Sequence, residues 1–174
     1  LRAGEVRDGF QRLLVEAHVD GPAADVRHAA PGGAEPDRVD ADAALRASTQ
    51  AARGAVAGAR TRVAASVGPY GAILHDGSEY RGRYGRTHRE LVDFHRERLD
   101  VLAATGPDLL AIETIPDVDE AAALVEALAD HPELPAWMSF SAMDDSHTCA
   151  GQPIEDAVAV AVASPSVIAV GINC

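Results

Sequence analysis

VAASVGPYGAILHDGSEYRGRY, residues 63–84, begins as a short apolar strand, breaks at Gly68-Pro69 and runs into a polar loop holding Asp76, Ser78, Glu79 and Tyr80. A buried strand that stops in a Gly/Pro turn and then presents polar side chains is how a parallel α/β protein builds a binding site. The design recurs downstream. The first apolar run spans 62–67 and further ones, likewise bounded by turn residues, lie at 108–113, 136–141 and 167–172, the pattern of strands covered on both faces. Between them fall helical stretches. Residues 87–105 carry Leu91, Phe94, Arg98, Leu99 and Leu102 near helical spacing, with Thr87 as N-cap and Gly106 as stop. Residues 117–130 set Ala121, Leu124, Val125 and Leu128 on one face, and Asp117 with Glu120 reads as a capping pair. Residues 153–163 repeat the pattern with Ile154, Val158, Ala161 and Val162, and Pro165 lies beyond their end. Strand and helix in this rhythm predict right-handed βαβ units and a parallel sheet.

The N-terminal part reads differently. Residues 40–59 form a credible Ala-rich helix with Asp42 near its start. Residues 21–37 hold several Pro and Gly, many charges and almost no large apolar residues, the composition of a loop or disordered linker. Residues 1–19 fit an amphipathic helix through Val6, Phe10, Leu13, Leu14 and Ala17.

Composition narrows the function classes. The 174 residues carry a formal charge of -12, and every basic residue other than histidine is Arg. Such a surface argues against non-specific binding of nucleic acid and against docking on anionic membranes. No apolar run is long enough to span a bilayer. The opening LRAGEVRDGF lacks the basic-then-apolar layout of a signal peptide, so a cytoplasmic location is the default expectation. The two cysteines, Cys149 and Cys174, are too few for a disulfide framework.

Reactive groups in parallel α/β folds gather where strands end. Those positions here are Ser66, Gly68, Pro69 and Tyr70, then Glu113 and Thr114, then Ser139, Ser141 and the loop Asp144-Asp145-Ser146-His147, and finally Asn173 and Cys174. Glu113 closes the apolar run LLAIE, where a carboxylate must be paired or hydrogen-bonded. It is either a carboxylate that holds a substrate ammonium or a structural group, capping the next helix or pairing with an Arg. Cys174 at the end of a strand is either a thiolate ligand for a soft-seeking metal or a small apolar filler. His75, His88, His95, His131 and His147 form no HxH or HExxH pattern and read as ordinary histidines. Asp144, Asp145 and His147 read as a solvated loop, and Arg81 and Arg83 as solvent-facing.

The run SVGPYGA…DGSEYRG, together with LLAIETIP, DFHRERL and VIAVGINC, resembles the homocysteine S-methyltransferases, the zinc-dependent type using S-methylmethionine-like donors. The resemblance runs from about Ala41 to Cys174 and leaves residues 1–40 as a divergent segment. It implies part of a (β/α)8 barrel, about four central parallel strands with their helices, plus an irregular helical N-terminal segment. It implies that Glu113 contacts the amino-acid part of homocysteine, with Asn173 as a second substrate-binding residue. It further implies that Cys174 is the first of three zinc cysteines, the other two coming from a Gly-Gly-Cys-Cys element that this sequence does not contain. The family's Asp-Gly-Gly and Thr-Asn/Ser-x-Tyr-Gln elements are absent from residues 1–40 as well. Relative to the family, then, the chain reads as truncated at both ends. It is expected to be an impaired or incomplete methyltransferase that takes homocysteine and a sulfonium donor. The alternative is a non-catalytic remnant that associates with another barrel fragment or with itself. An unrelated α/β enzyme using Glu113 as base carries little weight, because there is no Lys for a Schiff base and no G-x-S-x-G elbow.

Overall fold

The computed structural model describes residues 14–17, 41–58 and 60–174. Strands β1 (Leu14–Ala17), β2 (Arg62–Val67), β3 (Leu109–Ile115), β4 (Ala136–Phe140) and β5 (Val167–Ile172) form one parallel sheet in the order β1-β2-β3-β4-β5. Helices α1 (Ala41–Ala55), α2 (His88–Ala103), α3 (Val118–Leu128) and α4 (Ile154–Ala161) fill the crossovers. The four predicted strands are all present. A fifth, β1, stands where an amphipathic helix was predicted, and it pairs Leu14 with Arg62 through Ala17 with Ala65. Its short run of Leu and Val satisfies either period, and pairing with β2 decides between them. The rest of that predicted helix and the linker at 21–37 lie outside the described residues.

Alternation along the strands separates two faces. Ala65, Val67, Leu110, Ile112, Ala136, Met138 and Phe140 pack with Leu99, Leu102, Leu124 and Leu128 of the helices into the main core. Ala64, Leu109 and Ala111 turn the other way and meet Trp137. The helices therefore cover one face of the sheet, and Ala64, Leu109, Ala111 and Trp137 line the opposite, inner face. Sequential parallel strands with helices on one side make a sector of an α/β barrel.

The helix starts follow local chemistry. Thr87 caps α2 through a reciprocal box with Glu90, as the sequence predicts. Asp117 caps α3 by accepting from the Asp119 backbone N–H at 3.0 Å. The predicted partner of that cap does not take part: Glu120 faces inward and is fully buried. The loop after β2 folds into two short 3-10 turns, Tyr70–Leu74 and Ser78–Tyr80. Gly71 lets them touch, since a Cβ there would lie 2.6 Å from the Ser78 carbonyl carbon and 2.7 Å from Tyr84 Cε1. Gly71→Ala is expected to cost about 3 kcal/mol, read as a lower urea midpoint at unchanged slope.

Candidate functional site at the strand ends

The C-terminal ends of β2, β3, β4 and β5 bring the predicted residues to one rim. Glu113 continues the inner-face alternation of Leu109 and Ala111, and the Ser66 hydroxyl donates to its Oε1 at 2.7 Å. The strand does not end at Glu113, as the sequence suggests, but runs on to Ile115. The register explains how. Ile112 pairs with Met138 and Ile115 with Phe140, so Glu113 and Thr114 together oppose Ser139 alone. This is a β-bulge, and it returns Ile115 to the helix-side core. Thr114 absorbs the extra residue with a φ of 62°. A β-branched residue in the left-handed region is strained by about 1–3 kcal/mol.

Asn173 meets that strained residue from two strands away. Its N–H donates to Phe140 O at 3.0 Å, which extends the β4–β5 ladder. Its side chain reaches past the end of β4: Oδ1 accepts from Thr114 N–H at 3.0 Å, and Nδ2 donates to Thr114 Oγ1 at 2.8 Å. Nδ2 also lies 3.5 Å from Cys174 Sγ. Cys174 is exposed, and Glu113 is half-buried. The structure thus brings Glu113, Asn173 and Cys174 together at the same mouth. Ser139 and Ser141 are buried at the end of β4 between them.

Behind this rim sits a carboxylate hub that the sequence reading missed. Glu120 accepts from the Tyr70 backbone N–H, from Tyr84 Oη at 2.8 Å and from His95 Nε2 at 2.9 Å. His95 is fully buried, and burial holds its imidazole below the usual histidine pKa despite the bond to Glu120. Burial and then Glu120 push the Tyr84 phenol up. Arg98 stacks over Phe94 at 5.0 Å and donates to Gly68 O at 3.5 Å. Burial lowers its pKa, and Glu120 works against that shift. A signal for the hub exists in the sequence. Glu120 lies four residues before Leu124, and His95 lies four from both Leu91 and Leu99, so each falls on an apolar stripe.

Asp117 ties three loops together. It accepts from Arg83 N–H at 2.8 Å and from Gln152 Nε2 at 3.0 Å in addition to its own cap. The loop Asp144–His147 is locally closed. Ser146 N–H, then the His147 ring, and the remaining bonds hold the Asp144 carboxyl at about 2. Cys149 is half-buried with its N–H on Ser141 O. Among the described residues no group of three or more His, Cys, Asp or Glu could hold a metal ion, and no helix is long and apolar enough to cross a membrane.

Parallel strands with helices on one side, carrying a carboxylate, an amide and a thiol at their C-terminal ends, have the arrangement of a sector of an α/β barrel enzyme. The particular lineage follows from comparison. The chain belongs to the homocysteine S-methyltransferase family, whose pattern it matches over residues 24–174. It is 50% identical over 118 residues to homocysteine S-methyltransferase 1 of Zea mays, covering 66% of this chain and 36% of that protein. It is 49% identical over 112 residues to the homocysteine S-methyltransferase of Escherichia coli, covering 64% of this chain and 36% of that protein. The crystal structure of the E. coli homocysteine methyltransferase MmuM in its metallated form superposes with a TM-score of 0.71 at 43% identity, covering 77% of this chain and 49% of that one. The chain thus spans about a third of the length of these curated relatives and about half of the solved one.

Proposed function

We propose that this chain carries the homocysteine-holding rim of a homocysteine S-methyltransferase. The observation that carries the reading is that Glu113 and Cys174 stand at strand ends on either side of β4, with Asn173, beside Cys174, bonded to Thr114, the neighbour of Glu113. In this reading the Glu113 carboxylate, braced by Ser66, pairs with the ammonium of homocysteine and leaves its sulfur toward the β5 end. The sulfur then attacks the methyl carbon of a sulfonium donor such as S-methylmethionine. A new S–CH3 bond forms as the old one breaks, and the bonding pair stays on the donor sulfur, which becomes a neutral thioether. The thiol proton leaves before or during attack, because the thiolate is the nucleophile. The products are methionine and the demethylated donor. A cytoplasmic setting, where thiols stay reduced, belongs to the same reading.

Zinc is the cofactor that family membership implies, and the metallated form of the E. coli relative supports a metal in the family. Structural zinc takes about four ligands, and even a catalytic site takes about three from the protein. The described residues offer one thiol at the rim, Cys174, and no cluster that completes a site. They do not fit the ion by themselves. Accordingly, this chain alone should bind zinc weakly, with metal content well below one ion per chain after dialysis, measured by plasma emission.

The test of the function is methyl transfer from S-methylmethionine to homocysteine, followed by mass spectrometry. It is run with this chain and with a version extended by a relative's remaining strands. Zinc binding without methylation of homocysteine in the extended version would refute the substrate assignment. One observation favours the second reading, an association module. Val158 of α4, Val162 at its C-cap, and Ile168 and Ile172 of β5 are all exposed. A zinc-free, inactive protein that sediments as a stable complex with itself or with another barrel fragment would support it.

A further inference from the structure

We propose that Asn173 is a positioning residue that sets the direction of the Glu113 carboxylate by locking the bulge at Thr114. This proposal rests on the homocysteine reading for its ligand, but the lock itself is independent of it.

Three features of the rim lead there. First, the bulge leaves Glu113 and Thr114 facing one residue of β4, so the regular ladder does not determine how this pair sits. Second, Thr114 holds a left-handed conformation that a β-branched residue adopts only when its surroundings impose it. Third, what imposes it is visible. The Thr114 N–H and hydroxyl both bond to one amide side chain, at 3.0 and 2.8 Å, and that side chain comes from beyond β5. Asn173 matches Thr114 donor to acceptor and acceptor to donor, as a paired strand would. Its own backbone is fixed by the bond to Phe140 O. The position of β5 is thereby transmitted across β4 to the backbone that carries Glu113.

The chemistry requires such a device. A carboxylate that grips an ammonium discriminates only if its direction is fixed. Ser66 holds one carboxylate oxygen from the β2 side. Asn173 holds the backbone from the β5 side. Glu113 is then braced from both neighbours of the β3–β4 pair.

The test compares this chain with Asn173→Ala and Asn173→Asp. Aspartate keeps an acceptor for the Thr114 N–H and a second for its hydroxyl. Amide hydrogen exchange by NMR reads the lock. Calorimetric titration with homocysteine, and with the thiol acid that lacks its amino group, reads the consequence. Asn173→Ala should lose at least about tenfold of the Thr114 amide protection. It should bind homocysteine about tenfold more weakly, with the amine-free thiol acid unchanged. Asn173→Asp should restore Thr114 protection and bring homocysteine affinity back to within about threefold. Retained Thr114 protection in Asn173→Ala would overturn the lock. Lost protection with both ligands weakened equally, or neither weakened, would overturn the positioning role. Should the unaltered chain bind neither ligand, the proposed function falls, and the exchange data alone decide whether the lock exists.

Discussion

Glu120→Ala should remove about 3 to 5 kcal/mol of stability, a large share of the roughly 5 to 15 kcal/mol that holds a domain together. The reason is the number of donors it would strand. The Tyr70 backbone N–H, the Tyr84 hydroxyl and the His95 ring all point at this one fully buried carboxylate. Each buried donor left without a partner costs about 1 to 3 kcal/mol. Arg98, whose charge Glu120 favours, would lose that support as well. Urea denaturation measures the effect, and a loss below about 1 kcal/mol would show that water or a shifted side chain replaces the carboxylate. The same hub fixes an acid limit. Burial depresses the folded His95 pKa below its ordinary 6.5, with Glu120 opposing the shift and Arg98 reinforcing it. The stability from keeping this ring neutral is present above pH 6.5 and is lost as pH falls through the folded value. His95→Gln should weaken the protein at neutral pH yet flatten the decline that begins below 6.5. An unchanged acid profile in that variant would assign the decline to other groups.

Glu113→Gln should weaken homocysteine binding about a hundredfold, in line with the 2 to 5 kcal/mol that follows loss of one partner of a desolvated charge pair. The substitution keeps the shape and the bond to Ser66, and removes only the charge. Stability should change little, since Glu113 is half-buried at the rim. Calorimetry with homocysteine and with the amine-free thiol acid separates the roles. The first should lose affinity and the second should not. Equal losses for both would mean that Glu113 shapes the rim without contacting an ammonium.

How much of this was legible can be judged residue by residue. The strands at 62–67 and 167–172 agree in their bounds with the apolar runs in the sequence, because Gly, Pro and Asn punctuate them. The Thr87 cap was legible because its geometry is local. The bulge was not. LLAIETI reads as one apolar strand, and only the pairing with β4 shows that two residues face Ser139. Nothing in the spelling of Thr114 announces a φ of 62°, which comes from a side chain 59 positions away. Glu120 was misread because a carboxylate three residues after Asp117 satisfies the capping pattern as well as it satisfies a burial stripe. Tertiary bonds decided between the two. At the rim, Glu113, Asn173 and Cys174 were candidates from the rule that strand ends carry chemistry, whereas the bonds of the Asn173 amide to Thr114 are set by the fold.

The order of the sheet has a consequence of its own. Every strand lies beside the one made just before it, from β1 through β5. As the polypeptide emerges from the ribosome, each of the described strands after β1 finds its docking edge already formed by the strand before it. Growth of this kind is incremental, so translational pausing between units should leave shorter nascent species compact, and pulse proteolysis of stalled chains would display them as a ladder.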